Sequence, residues 1–195
     1  CGAPLGDAQK PAPASFIGTP GEPRMTPGYH EGMTDLTRIP VPNEGPITDK
    51  VKEIYERSFP PEEQIPLPEL LRSAEAPEVS FVAWADPALP TDEAGATHVV
   101  ALTYSFAFHD LFYLGFLAVD GRTRSAGYGS RILTYFAERY ASVPQLLEIE
   151  PMTREAANYQ QRVRRLAFYE RNGFTVTNMI THEADQTYRV LTRNG

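Results

Sequence analysis

A chain of 195 residues, 42% hydrophobic and 22% charged, carries enough apolar material for one domain with a real core. Its formal charge of −7 argues against nucleic acid or an anionic membrane as the main partner and slightly favours a cationic small substrate. No apolar run approaches the roughly 20 residues of a membrane helix, and a single cysteine, Cys1, excludes an internal disulfide.

Residues 1–32 hold six Pro and six Gly among short polar residues without a period of 2 or 3.6, so they are expected to form a disordered tail. Regular patterning begins after Met33. The opening Cys-Gly reads as a fragment of a longer frame or, less readily for want of a signal segment, as a lipoprotein whose Cys1 carried lipid.

Residues 34–41 can make a strand, broken by Pro40, Pro42 and Pro46. Thr48 is expected to cap a helix over 49–58, where Val51, Ile54, Tyr55 and Ser58 share one face. A proline-bound loop then carries Glu62 and Glu63, and residues 69–74 predict a second short helix. Strands over 79–85, 98–108 and 112–120 predict an antiparallel meander, with 86–97 as a loop and His109-Asp110 as a tight turn. A helix over 126–140, a strand over 145–150, a helix over 154–172 and strands over 174–182 and 187–191 complete the chain. The order β-α-α-β-β-β-α-β-α-β-β is an α/β (α+β) pattern, and one domain over 33–195 is expected. His30, His98, His109 and His182 lack the spacing of metal ligands, so no metal site is expected.

The run from Leu117 to Ser130 places a strand, a turn and a helix start in immediate succession. The first N–H groups of a helix have no intrahelical partner, so a turn that aims them at one point suits an anion such as pyrophosphate. Gly127 and Gly129 would let that anion approach without a Cβ in the way. Two glycines at a helix start equally serve a tight turn or close helix packing. A Walker loop is excluded by the missing Gly-Lys-Ser/Thr, and a dinucleotide fold is disfavoured because a meander comes first.

Arg124-Ser-Ala-Gly-Tyr-Gly129 resembles the R/Q-x-x-G-x-G/A motif of the GNAT superfamily of acyl-CoA-dependent N-acetyltransferases, with Val119 at the usual spacing before it. Ala167-Phe-Tyr-Glu-Arg-Asn-Gly-Phe174 resembles that family's second signature, a helix ending F-Y-x-x-x-G-F. The resemblance spans about residues 34–193. It implies a mixed, mostly antiparallel sheet of six to seven strands with about four helices. It further implies acetyl-CoA as acyl donor, with Leu117, Ala118 and Val119 along its pantetheine arm. Arg124, Ser125, Ala126, Gly127, Tyr128, Gly129 and Ser130 would then lie around its pyrophosphate. Tyr169 stands where the family's general acid stands, ready to share its proton with the departing thiolate; a half-buried packing role is the alternative.

For the base, Glu148 and Glu150 are the candidates, since period 2 points both to one face of their strand; the alternative is a salt bridge with nearby arginines. Glu62 and Glu63 are expected to border the acceptor pocket or to be solvated. Where many members carry a pantetheine-contacting Asn, this chain has Arg162, with Asn158 a turn earlier. Arg162, Arg164, Arg165 and Arg171 form a solvated helix face or meet CoA phosphates. The expected reaction is acetyl transfer to a primary amine of a small molecule or peptide by direct attack, in a cytoplasmic protein, with a homodimer left open. The competing reading is a catalytically silent acyl-CoA-binding sensor or scaffold.

Overall fold

The computed structural model describes residues 35–90, 98–123, 126–183 and 186–195, and the expected tail over 1–32 lies outside them. In chain order the elements are β1 (Thr37–Pro40), α1 (Pro46–Ser58), α2 (Leu67–Ser73), β2 (Val79–Ala85), β3 (Val99–Ala107), β4 (Phe112–Val119), α3 (Tyr128–Arg139), β5 (Gln145–Ile149), α4 (Tyr159–Arg171), β6 (Thr175–Glu183) and β7 (Gln186–Arg193). Short 3-10 turns occupy Pro61–Glu63 and Gly121–Thr123. The sheet runs β1-β2-β3-β4-β5-β7-β6 and is antiparallel except where β4 meets β5. This is the expected mixed sheet, with seven strands and four α-helices among the described residues.

The sheet has a core on each face. On one, Val51, Ile54 and Tyr55 of α1 and Leu70 of α2 close over Phe81, Leu102 and Tyr104. The helical spacing of the α1 residues is what places them there, whereas Ser58 is only partly covered. On the other, Ile132, Leu133 and Phe136 of α3 pack over Trp84, Phe112, Leu114 and Leu147, with Leu166, Phe168 and Tyr169 of α4 at the margin. The buried Trp84 indole donates to the Thr103 hydroxyl at 2.9 Å.

All four expected helix starts move, that of α2 from 69 to Leu67. Helix α1 begins at Pro46, a residue suited to a first turn because it has no N–H to leave unpaired. Thr48 therefore sits inside the helix, its hydroxyl donating to Pro42 O at 2.6 Å, and does not cap it. Helix α3 begins at Tyr128, two residues late, because Gly127 takes a left-handed φ of 74° that ends the preceding turn. Helix α4 begins at Tyr159, five residues late, because the chain after Pro151 first makes two tight turns, Thr153 N to Pro151 O and Ala156 N to Thr153 O. At its other end Gly173, at φ 85°, supplies a left-handed cap after Asn172.

Candidate active site

Strands β4 and β5 pair only from Phe112–Gln145 to Leu114–Leu147. Beyond that point residues 115–119 of β4 pair with β3 alone. The cause lies in β4: Ser105 faces Leu114 while Tyr104 faces Phe116, so Gly115 is an extra residue in the ladder. Such a bulge bends and over-twists its strand, and here it turns β4 away from β5. The parted strands open a cleft of about 190 Å³ whose walls include Leu114 to Leu117, Leu147 to Glu150, Tyr169 and Tyr188. A glycine inside an otherwise regular strand pattern was the available signal for this feature.

At the far end of β4 lies the candidate anion turn. Arg124 and Ser125 lie outside the described residues; Ala126 and Gly127 are exposed, and α3 follows directly. The two glycines have different jobs. A Cβ on Gly127 would meet nothing within 4 Å, so at this position the glycine serves backbone conformation, its φ of 74°. A Cβ on Gly129 would stand 2.9 Å from Phe168 Cζ and 3.7 Å from Val119 Cγ2. Gly129 therefore allows α3, β4 and α4 to approach, and the expectation that it clears a path for an anion gives way to close packing. Tyr128 is buried, its hydroxyl donating to Asp86 Oδ2 at 2.8 Å. Ala118 is buried in the α1–α2 core, Ser130 is half-buried, Val119 packs toward α3, and Leu117 lines the cleft.

The stretch ahead of that turn is clamped. Asp120 is buried and accepts from Arg122 N at 3.0 Å, from the Arg122 guanidinium and from Lys50 of α1. Burial disfavours its charge, but the hydrogen bonds from Arg122 and Lys50 outweigh burial and hold its carboxyl well below the usual range.

Tyr169 ends α4 against Phe168 and Phe174, with ring centroids 5.2 and 5.9 Å away, and it also lines the cleft. Burial pushes its phenol up to about 12, against the charge of Arg165 and with that of Glu150. It therefore keeps its proton at neutral pH.

The two candidate bases separate. Glu148 lies on β5, half-buried in the cleft, and burial raises its pKa, with the charge of Glu183 adding to the rise and Thr181 and Tyr113 opposing it. Glu150 stands one residue past the strand, where alternation no longer fixes its direction, and its carboxylate is turned to α4. It pairs with Arg165 and Arg162 and accepts from Asn158 Nδ2 at 3.2 Å. Arg162 is further held by Asn158 Oδ1 at 2.7 Å and Pro151 O at 2.9 Å, so it and Arg165 bind the protein, while Arg164 and Arg171 are exposed. Glu63 lines the cleft and His109 sits exposed in its turn. Glu62 falls in the Pro61–Glu63 turn, and its side chain lies outside what is described.

Register shows what the sequence reading missed. Tyr113 pairs with Leu146, Glu148 with Val190, and Tyr188 with Thr181. Side chains alternate along a strand, so Tyr113, Glu148, Tyr188, Thr181 and Glu183 share the sheet face that carries α1 and α2. Tyr169 packs with the core on the opposite face. The parted strands are where the two faces meet. No local motif announces Tyr188 or Glu183; only the pairing of β6 with β7 brings them in.

No protein-family model matches this sequence, and no curated protein matches it. Solved structures do. A GNAT-family acetyltransferase described as putative, from Bacteroides thetaiotaomicron, superposes with a TM-score of 0.58 at 22% identity over 76% of this chain and 80% of its own. An aminoglycoside 6'-N-acetyltransferase complexed with coenzyme A gives 0.55 at 17% over 80% and 96%. The NAA60 protein of Arabidopsis thaliana, in complex with a bisubstrate analogue, gives 0.59 at 11% over 81% and 98%. The chain has the GNAT acetyltransferase fold.

Proposed function

We propose that this chain is an acetyl-CoA-dependent N-acetyltransferase acting on a primary amine by direct attack. The carrying observation is the opening between β4 and β5, where Tyr169 reaches in from one face of the sheet and Glu148 from the other. The GNAT fold supports the choice of donor, since neighbours with that fold were solved with coenzyme A or acetyl-CoA.

Residues 115–119 of β4, which lack a partner on the β5 side, would receive the pantetheine arm as an added strand. The amides that open α3 after Gly127 would meet the pyrophosphate. Arg124 and Ser125 complete this turn by the resemblance. Acetyl-CoA supplies a thioester carbonyl for the amine to attack and a thiol to leave.

Glu148 takes the proton that an ammonium must lose before its nitrogen can attack, directly or through a water. Its raised pKa makes it a stronger base than an exposed carboxylate. Glu150, spent on Arg165 and Arg162, serves as a brace between β5 and α4. Tyr169 shares its proton with the departing sulfur. A phenol near 12 is a weaker acid than a thiol of about 8.5 in water. Its contribution is thus a hydrogen bond that strengthens as charge gathers on sulfur in a site of low dielectric. The test is thiol release from acetyl-CoA across a panel of primary amines. Amine-dependent release above the hydrolytic background is expected, and none with any amine would leave the silent acyl-CoA-binding module as the better reading.

A further inference from the structure

The acceptor side of the cleft is unbalanced in charge. Its walls carry Glu63, Glu148, Glu150 and Glu183, and Arg165 is the cation among them, already paired with Glu150. The other cations of β7, Arg189 and Arg193, alternate to the opposite face, because Arg189 pairs with Ile149 and Ile180. Among the described residues neither Glu148 nor Glu183 has a cationic partner within ion-pair distance. The remaining walls are largely aromatic: Phe59, Tyr104, Phe106, Tyr113 and Tyr188. Glu148, half-buried against such walls, has lost hydration that a cation can replace, while Glu183 stands exposed at the rim. Burial, and then the charges of Glu63, Glu183, Glu150 and Glu148, together push the Tyr188 phenol up to about 12, so the fields of all four glutamates overlap at one hydroxyl.

The spacing says how many cations fit. Glu148 is on β5 opposite Val190 and Glu183 on β6 opposite Gln186, so they stand two strand spacings of about 4.8 Å apart across the sheet and are also offset along it by the residues of β7 from Gln186 to Val190. One ammonium reaches a carboxylate within about 4 Å and cannot serve both. We propose that this cleft selects acceptors with at least two ammonium groups, the reacting one at Glu148 and the second held by Glu183 beside the Tyr188 ring. This rests on the transferase reading for which amine reacts, while the binding preference stands without it. Linear polyamines and aminoglycosides share the required chemistry.

Titration calorimetry on the full chain, with 1,5-diaminopentane against 1-aminopentane, tests it. The diamine should bind about tenfold more tightly or better, and rising salt should erode the advantage. Glu183→Gln should bring the ratio to within about threefold, and Glu183→Lys should abolish it. Glu138→Gln, which removes the same charge from the exposed face of α3, should leave the ratio intact. Kanamycin in a third arm separates the sources: tighter binding than the diamine, lost in Glu183→Gln, assigns an aminoglycoside, and the reverse order a linear polyamine. Equal affinity for diamine and monoamine, or a ratio that survives Glu183→Gln, overturns the proposal. Absence of acetyl-CoA binding would instead sink the transferase reading and leave this calorimetric ratio readable.

Discussion

The two faces of the sheet are built by different rules. On the α3–α4 face the two motifs touch each other: Gly129 of the first lies where any Cβ would press on Phe168 of the second. The spacing of those motifs along the chain is therefore a packing requirement, legible as a short string. On the α1–α2 face, Glu148, Tyr188 and Glu183 come from three strands and meet only through register. On the proposed function the first face would serve the donor and the second the acceptor, so the donor side is the one written in short motifs.

Perturbing one face at a time sharpens that contrast. The largest effect should come from Tyr169→Phe, which keeps the ring contacts with Phe168 and Phe174 and removes only the hydroxyl. A kcat loss of about 10²–10⁴-fold with unchanged acetyl-CoA affinity is expected in single-turnover kinetics. Because the phenol titrates near 12, the parent rate should hold through the alkaline range and fall only as pH approaches that value.

Glu148→Gln comes next and tests the opposite face. A carboxylate must be deprotonated to accept a proton, and the Glu148 pKa is raised. The parent's acid limb should therefore rise through a pKa above the ordinary Glu value of about 4.3. In Glu148→Gln that limb should vanish with a loss of about 10²-fold or more, while Glu150→Gln should retain it. An acid limb that survives Glu148→Gln would move the base elsewhere.

Gly127→Val should act on the donor side alone. The added Cβ meets no neighbour, so the penalty is the positive φ, and relief of that strain would tilt the first amides of α3. One lost hydrogen bond to a charged group is worth roughly 1.5–3 kcal/mol, read as weaker CoA binding in a mutant that still folds. The smallest effect on ligand should come from Gly129→Ala, which should instead cost about 1–3 kcal/mol of stability by overpacking against Phe168, measured by denaturant unfolding. A Gly129→Ala chain as stable as the parent would show that α3 and α4 are not tightly apposed.

Much of the fold was readable because each element states its own period. The bounds of β2 emerge as expected, and the spacing of Ile132, Leu133 and Phe136 places the buried stripe of α3. Helix starts were less readable, since Gly127 and the turns after Pro151 settle them through backbone conformation. At the site, Tyr169 was legible from a local motif, and Glu148 was separated from Glu150 only once the end of β5 was seen to lie between them. The bulge at Gly115, which parts the strands, leaves a single glycine as its trace. Glu183 and Tyr188 leave none, because register between β6 and β7 is a property of pairing and not of either segment.

Titration of the 195-residue chain with coenzyme A in a calorimeter asks whether the donor binds at all. One molecule should bind per chain in the micromolar range, more weakly in Gly127→Val and unchanged in Glu183→Gln. No heat at millimolar coenzyme A, from a chain shown to be folded, would contradict the proposed donor.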